Sequence, residues 1–119
     1  SAEDLAISER VHTGRIPCEL GAFVNVTADQ SNPGYFNIDG KGFKYHMAPV
    51  KTSTGTVRLE DKHAGAVWLQ IANKSMLMNQ KVGQRLADEC MSPDQLQVAE
   101  AIKKNPPPSL LEAPKPAGQ

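Results

Sequence analysis

Residues 57–79 read VRLEDKHAGAVWLQIANKSMLMN, and this stretch decides the fold. Val57 and Leu59 alternate with Arg58 and Glu60, the period-two pattern of a strand with one face turned inward. Asp61 to Gly65 is a turn. Ala66 to Ile71 is the most apolar strand of the chain and holds its one tryptophan, Trp68. Lys74 to Asn79 follows after a polar break. Short strands joined by tight turns, with no helix between them, predict antiparallel pairing rather than a parallel sheet.

The same grammar extends outward in both directions. Phe43, Tyr45 and Met47 alternate with Lys44 and His46, and Pro49 is expected to end that strand because it has no N–H to give a ladder. Tyr35 to Ile38 precedes it across the Asp39-Gly40 turn. Ala22 to Ala28 places Val24 and Val26 on one face and leads into the turn Ser31-Asn32-Pro33-Gly34. Arg15 to Glu19 is the first candidate strand and Lys81 to Cys90 the eighth. Eight short strands roughly ten residues apart predict an all-β fold, a small antiparallel eight-stranded barrel over residues 10–91.

The flanks read differently. Residues 1–9 are short and polar, and are expected to form a flexible N-terminal arm or one helical turn. At Ser92 a helix begins, expected over 92–104. Ser92 suits the cap, Pro93 the first turn, and Gln95 completes a capping box. Leu96, Ala99 and Ile102 share a face of that helix, and Lys103 and Lys104 suit its negative end. Five of the nine prolines lie in the last fourteen residues, so 105–119 is expected to be a disordered Pro-rich tail.

Composition narrows the function classes. A chain of 119 residues holds one domain. Thirteen basic residues balance thirteen acidic ones, which excludes a polyanion binder working by bulk electrostatics. Aromatic residues make up 5%, too few for a nucleic-acid stacking platform, so no nucleic-acid partner is expected. No apolar run approaches the roughly 20 residues of a membrane-spanning segment.

Cys18 and Cys90 are the only cysteines, with 71 residues between them. They suit either a bridge or two separate buried thiols. They bracket the strand region, where a staple is most useful, and a bridge implies an extracytoplasmic compartment. The chain starts at Ser1-Ala2 with no signal segment, which fits one whose targeting segment has been removed. The expected location is periplasmic or envelope-associated.

No motif for nucleophilic, metal or nucleotide chemistry is present, so a binding protein without a cofactor is expected rather than an enzyme. His12, His46 and His63 are scattered and expected at the surface. Met76 and Met78 share a strand face. Soft thioethers suit Cu(I), but methionine also fills cores, and this face is expected to pack the core. Glu60-Asp61 and Asp88-Glu89 are adjacent carboxylates. Neighbours on a strand point to opposite faces, so neither pair is expected to form one site. The loop Lys51-Thr52-Ser53-Thr54-Gly55 offers hydroxyls beside an apolar strand pair, and Lys74-Ser75 adds a cation and a hydroxyl. If the two loops share a rim, they form a basic, hydrogen-bonding knob suited to a cleft with carboxylates, where an ordinary solvated rim is the plain alternative.

Over residues 10–90 the chain resembles the membrane-bound and periplasmic inhibitors of c-type lysozyme, bacterial envelope proteins with an eight-stranded barrel. Ile16-Pro17-Cys18-Glu19-Leu20-Gly21 matches the early strand with its cysteine and polar turn. Thr54-Gly55-Thr56-Val57-Arg58-Leu59 matches the Ser-Gly segment, with Thr54 in place of the serine and Leu59 in place of a tyrosine. Ala66-Val67-Trp68-Leu69 matches the tryptophan strand, and Leu86-Ala87-Asp88-Glu89-Cys90 the closing strand. Gln70 stands at the spacing of the family's inhibitory lysine, and the nearest lysine is Lys74. The resemblance implies a Cys18–Cys90 disulfide. It also implies a protein partner, c-type lysozyme or a related glycan hydrolase, blocked by insertion of a rim loop. The residues it assigns to that contact are Ser53, Thr54, Gly55, Lys74 and Ser75.

Overall fold

A computed structural model describes residues 2–105. Eight strands follow in order: β1 (Gly14–Pro17), β2 (Phe23–Ala28), β3 (Phe36–Gly40), β4 (Phe43–Val50), β5 (Val57–Asp61), β6 (Ala66–Gln70), β7 (Ser75–Asn79) and β8 (Gln84–Cys90). Each pairs antiparallel with the next, giving one eight-stranded sheet rolled into a nearly closed barrel. The predicted architecture is therefore the observed one. No ladder joins β8 to β1. That seam is held by the Met91 N–H donating to the Pro17 carbonyl at 3.0 Å and by the Cys18–Cys90 disulfide.

The inward face follows the alternation. Leu59, Trp68 and Leu77 are direct register partners across β5, β6 and β7, and all three are fully buried. Val24, Ile38 and Met47 continue the core around the barrel. Trp68 anchors it. Among the described residues the buried Trp68 Nε1 has no hydrogen-bond partner, a stranded donor that costs about 1–3 kcal/mol against the large apolar gain of the ring.

Three expectations are corrected. Pro49 does not end β4, which runs on to Val50. Pairing with β3 stops at Met47 and pairing with β5 takes over at Ala48, so beyond Met47 one side of the strand carries no ladder for a proline to interrupt. Met76 and Met78 do not face the core. Leu77 does, and the two methionines lie on the outer face opposite Leu69 and Val67. The face of the C-terminal helix is also shifted, as described next.

The two helices sit at the flanks. Residues Ala2–Ser8 form α1, two turns rather than one, with Ile7 against the core. Helix α2 spans Pro93–Lys104, and both halves of the Ser92/Gln95 capping box are made. Gln95 and Ala99 are its buried residues, whereas Leu96 and Ile102 are exposed at 48% and 37%. The Gln95 side chain, fully buried, donates to the Ile71 carbonyl at 3.0 Å and to Ser75 Oγ at 2.9 Å. A polar anchor thus docks the helix start where an apolar stripe was expected. The Pro-rich tail expected from 105 onward lies outside the described residues apart from Asn105. Among the described residues no helix is long and apolar enough to cross a membrane. The disulfide fits an oxidising, extracytoplasmic compartment.

Candidate functional site

Because consecutive strands are antiparallel, alternate loops gather at opposite ends of the barrel. Loops 29–35, 51–56 and 71–74 share one end, so the two polar loops singled out above do lie on one rim. The N-terminal segment crosses that same end. Val11 is buried there, and Gln70 points inward, donating through Nε2 to the Arg10 carbonyl at 2.7 Å and accepting from the His12 N–H at 2.8 Å. The residue at the inhibitory-lysine spacing is therefore a clasp for the N-terminal segment, buried and turned away from solvent.

The loop 51–56 is held by its own hydroxyls. Thr52 Oγ1 donates to the Thr56 carbonyl at 2.7 Å, and Thr54 Oγ1 donates to Thr56 Oγ1 at 3.0 Å. Gly55, at φ +81°, supplies the left-handed residue the turn requires. Ser53, Thr54 and Gly55 are exposed at the tip. Arg10 reaches across and donates through Nη2 to the Gly55 carbonyl at 2.9 Å. Two clefts flank this tip. One, of about 370 Å³, lies between Arg10, His12, Thr54–Val57, Gln70 and Ile71. The other, of about 320 Å³, has Leu69, Ile71 and Met76 as apolar walls and Thr52, Thr54, Thr56, Arg58 and Lys74 as polar ones.

Lys74 and Ser75 are placed differently from their neighbours. Lys74 Nζ lies 2.9 Å from Glu89 Oε1 and 3.5 Å from Asp88 Oδ1. Its hydrogen bond to Glu89, and next the attraction of Asp88, raise its pKa above the ordinary lysine value despite the opposing cost of partial burial. Asp88 also accepts from Arg85 Nη1 at 3.0 Å. The side chains of Asp88 and Glu89 therefore converge on one cation, contrary to the expectation from strand alternation. Glu89 has φ +51° at an irregularity in the β7–β8 register, and that break in the pleat brings both carboxylates to the same side. Ser75 is buried, and its hydroxyl accepts from Gln95. Of the five assigned contact residues, Ser53, Thr54 and Gly55 are displayed. Lys74 is neutralised by its own chain, and Ser75 is interior.

Arg10 is the rim cation that sequence reasoning missed. Among the described residues it has no carboxylate partner, whereas nearby Arg58 is paired with Glu60 at 2.6 Å. Only the chain's return over the barrel end puts Arg10 beside Thr54 and Gly55, which are more than forty positions away. At the same end Asp29 accepts from Asn32 Nδ2 at 3.0 Å and the Ser31 N–H at 2.9 Å, and lies 2.7 Å from His46 Nε2. Those bonds, Asn32 first, lower its carboxyl pKa from 3.8 to about 2. Tyr35 stacks on His46 at 5.0 Å, which stiffens the loop 29–35. Among the described residues no group of three His, Cys, Asp or Glu side chains is placed to hold a metal ion.

No family model, curated protein or solved structure matches the chain.

Proposed function

We propose that this is a binding protein without catalytic activity, which presents the loop 51–56 to the cleft of a protein partner, a c-type lysozyme or related glycan hydrolase of the bacterial envelope. The observation that carries the reading is the exposed Thr54-Gly55 tip with the uncompensated Arg10 guanidinium fastened beside it. Glycan hydrolases of this type cut between two carboxyl groups. A guanidinium fork matches an ionised carboxylate, and the Thr54 hydroxyl matches a protonated one. Lys74 and Ser75 support the rim from beneath through Glu89, Asp88 and Gln95.

The test is a titration of c-type lysozyme activity with the full chain and its variants. Arg10→Ala is expected to weaken inhibition by about 2–5 kcal/mol, and Thr54→Ala by about 1 kcal/mol. Lys74→Ala is expected to lower stability with little change in affinity. Inhibition should weaken in acid as the partner's carboxylates protonate. No inhibition at a large molar excess rejects the hydrolase partner. The neutralisation of Lys74, the cation nearest the position the resemblance requires, favours a second reading in that event: an envelope interaction module that uses the same rim for another protein.

A further inference from the structure

The opposite end of the barrel holds a leucine in a costly position. Leu20, in the turn between β1 and β2, has φ +60° and ψ 29°, the left-handed region that a leucine side chain disfavours. It is also 98% exposed, the most exposed large apolar residue described. The turn is not loose. The Cys18 N–H donates to the Ala22 carbonyl at 2.8 Å, the Ala22 N–H donates to the Glu19 carbonyl at 3.1 Å, and Cys18 is tied to Cys90. A strained backbone and a solvated leucine are thus held in a fixed geometry with no compensating burial among the described residues.

Beside Leu20 lies a groove of about 310 Å³, with Phe23, Phe43, Leu86 and Ala87 as its apolar walls and Lys41 at its edge. It opens along the seam where no ladder joins β8 to β1. Glu19 and Lys41 are both exposed, and neither has an ionic partner among the described residues. One face therefore carries an apolar knob, an apolar groove larger than a leucine side chain, an unpaired acid on the knob and an unpaired base on the groove.

We propose that this end of the barrel is a self-association surface. Two copies meet about a two-fold axis, Leu20 of each seated in the groove of the other, and Glu19 of each facing Lys41 of the other copy. A two-fold interface requires a patch complementary to itself, and this patch supplies both halves in shape and in charge. A lipid surface fits less well, because Glu19 sits next to the inserting leucine and opposes an anionic headgroup layer. The inference is independent of the rim at the other end.

Sedimentation equilibrium of the full chain over increasing concentration tests it. A reversible monomer–dimer equilibrium is expected, weakened at least about tenfold by Leu20→Gly. Glycine suits φ +60°, so the melting temperature of that variant should not fall, which separates a lost contact from a lost fold. Glu19→Lys and Lys41→Glu should each weaken the dimer, and the two together should restore most of it. A wild-type chain that stays monomeric at the highest concentration overturns the proposal. So does a dimer that Leu20→Gly leaves unchanged, or a charge-reversed pair that restores nothing. Leu20-dependent flotation with phosphatidylglycerol vesicles in the absence of a dimer also overturns it and assigns the knob to lipid.

Discussion

At one end of the barrel the chain folds back across the opening, with Val11 buried and Gln70 clasping Arg10 and His12. At the other end lie the turns 18–22, 41–42, 62–65 and 80–83. Phe43, the first residue of β4, stacks there on Tyr45 at 5.8 Å. The Phe43 ring lies so close over Gly40 that a Cβ there would collide with it. The first end is closed by polar bonds from a returning segment, and its loops are free to be polar and displayed. The second carries aromatic rings and keeps apolar surface, Leu20 above all, open to solvent, and the Cys18–Cys90 staple joins the two, since Cys90 pairs with Ser75 at the rim and Cys18 opens the Leu20 turn. The two ends therefore offer contacts of opposite chemistry on one small domain.

Removing the staple is the strongest way to break this contrast. The paired change Cys18→Ala with Cys90→Ala is expected to cost roughly 4 kcal/mol, since the bridge spans 72 positions. Chemical denaturation reads the loss, and amide exchange should accelerate first around 18–22 and 84–90. A uniform acceleration would mean that the seam does not open as a unit of its own.

Gln70→Ala attacks the other end. It strands the Arg10 carbonyl and the His12 N–H, at about 1–3 kcal/mol for each group that water does not reach. Exchange should accelerate at residues 7–13 and leave the turns 18–22 and 41–42 unaffected.

Leu20→Gly should act in the opposite direction. It relieves about 1–2 kcal/mol of left-handed strain and adds roughly 0.5–1 kcal/mol of unfolded-chain entropy. The net expectation is a melting temperature unchanged or raised by a few degrees.

The smallest effect is a titration. Asp29 is held at about pKa 2, below its unfolded value, so its stabilising contribution is complete above about pH 4 and is lost as pH falls through 2. Asp29→Asn should flatten that part of the melting curve between pH 4 and 2, and only that part. Lys74 has the reverse sign. Its raised pKa gives stability that persists through neutral pH and is lost as pH rises past the ordinary lysine range.

How far each feature could be read from the sequence depended on the range of the interaction. Alternation is a local property, so Val24 and Val26, Phe36 and Ile38, and Val57 and Leu59 declare their inward faces within a few residues. The capping box at Ser92 is equally local, and it is made as expected. The site needed information that local patterns lack. Asp88 and Glu89 read as diverging because alternation assumes an unbroken pleat, and the left-handed Glu89 breaks it. Lys74 read as a free cation because both of its partners lie fourteen or more positions away. Arg10 carried no role in the reading because nothing nearby reveals that the chain returns over the barrel end. Gln95 was legible as a cap but not as the donor that takes up Ser75, since one side chain serves both roles.

Trp68, enclosed between Leu59 and Leu77 with its indole N–H unpartnered, has a practical consequence. It is the only tryptophan in the chain. Its emission should be blue-shifted and shielded from iodide while the barrel is intact, and should shift to the red when the barrel opens. Neither the loop 51–56 nor the Leu20 turn contributes a tryptophan, so the signal should stay silent when a partner docks at either end. The molecule thus carries an optical reporter of its own integrity, which separates variants that fail to bind from variants that fail to fold.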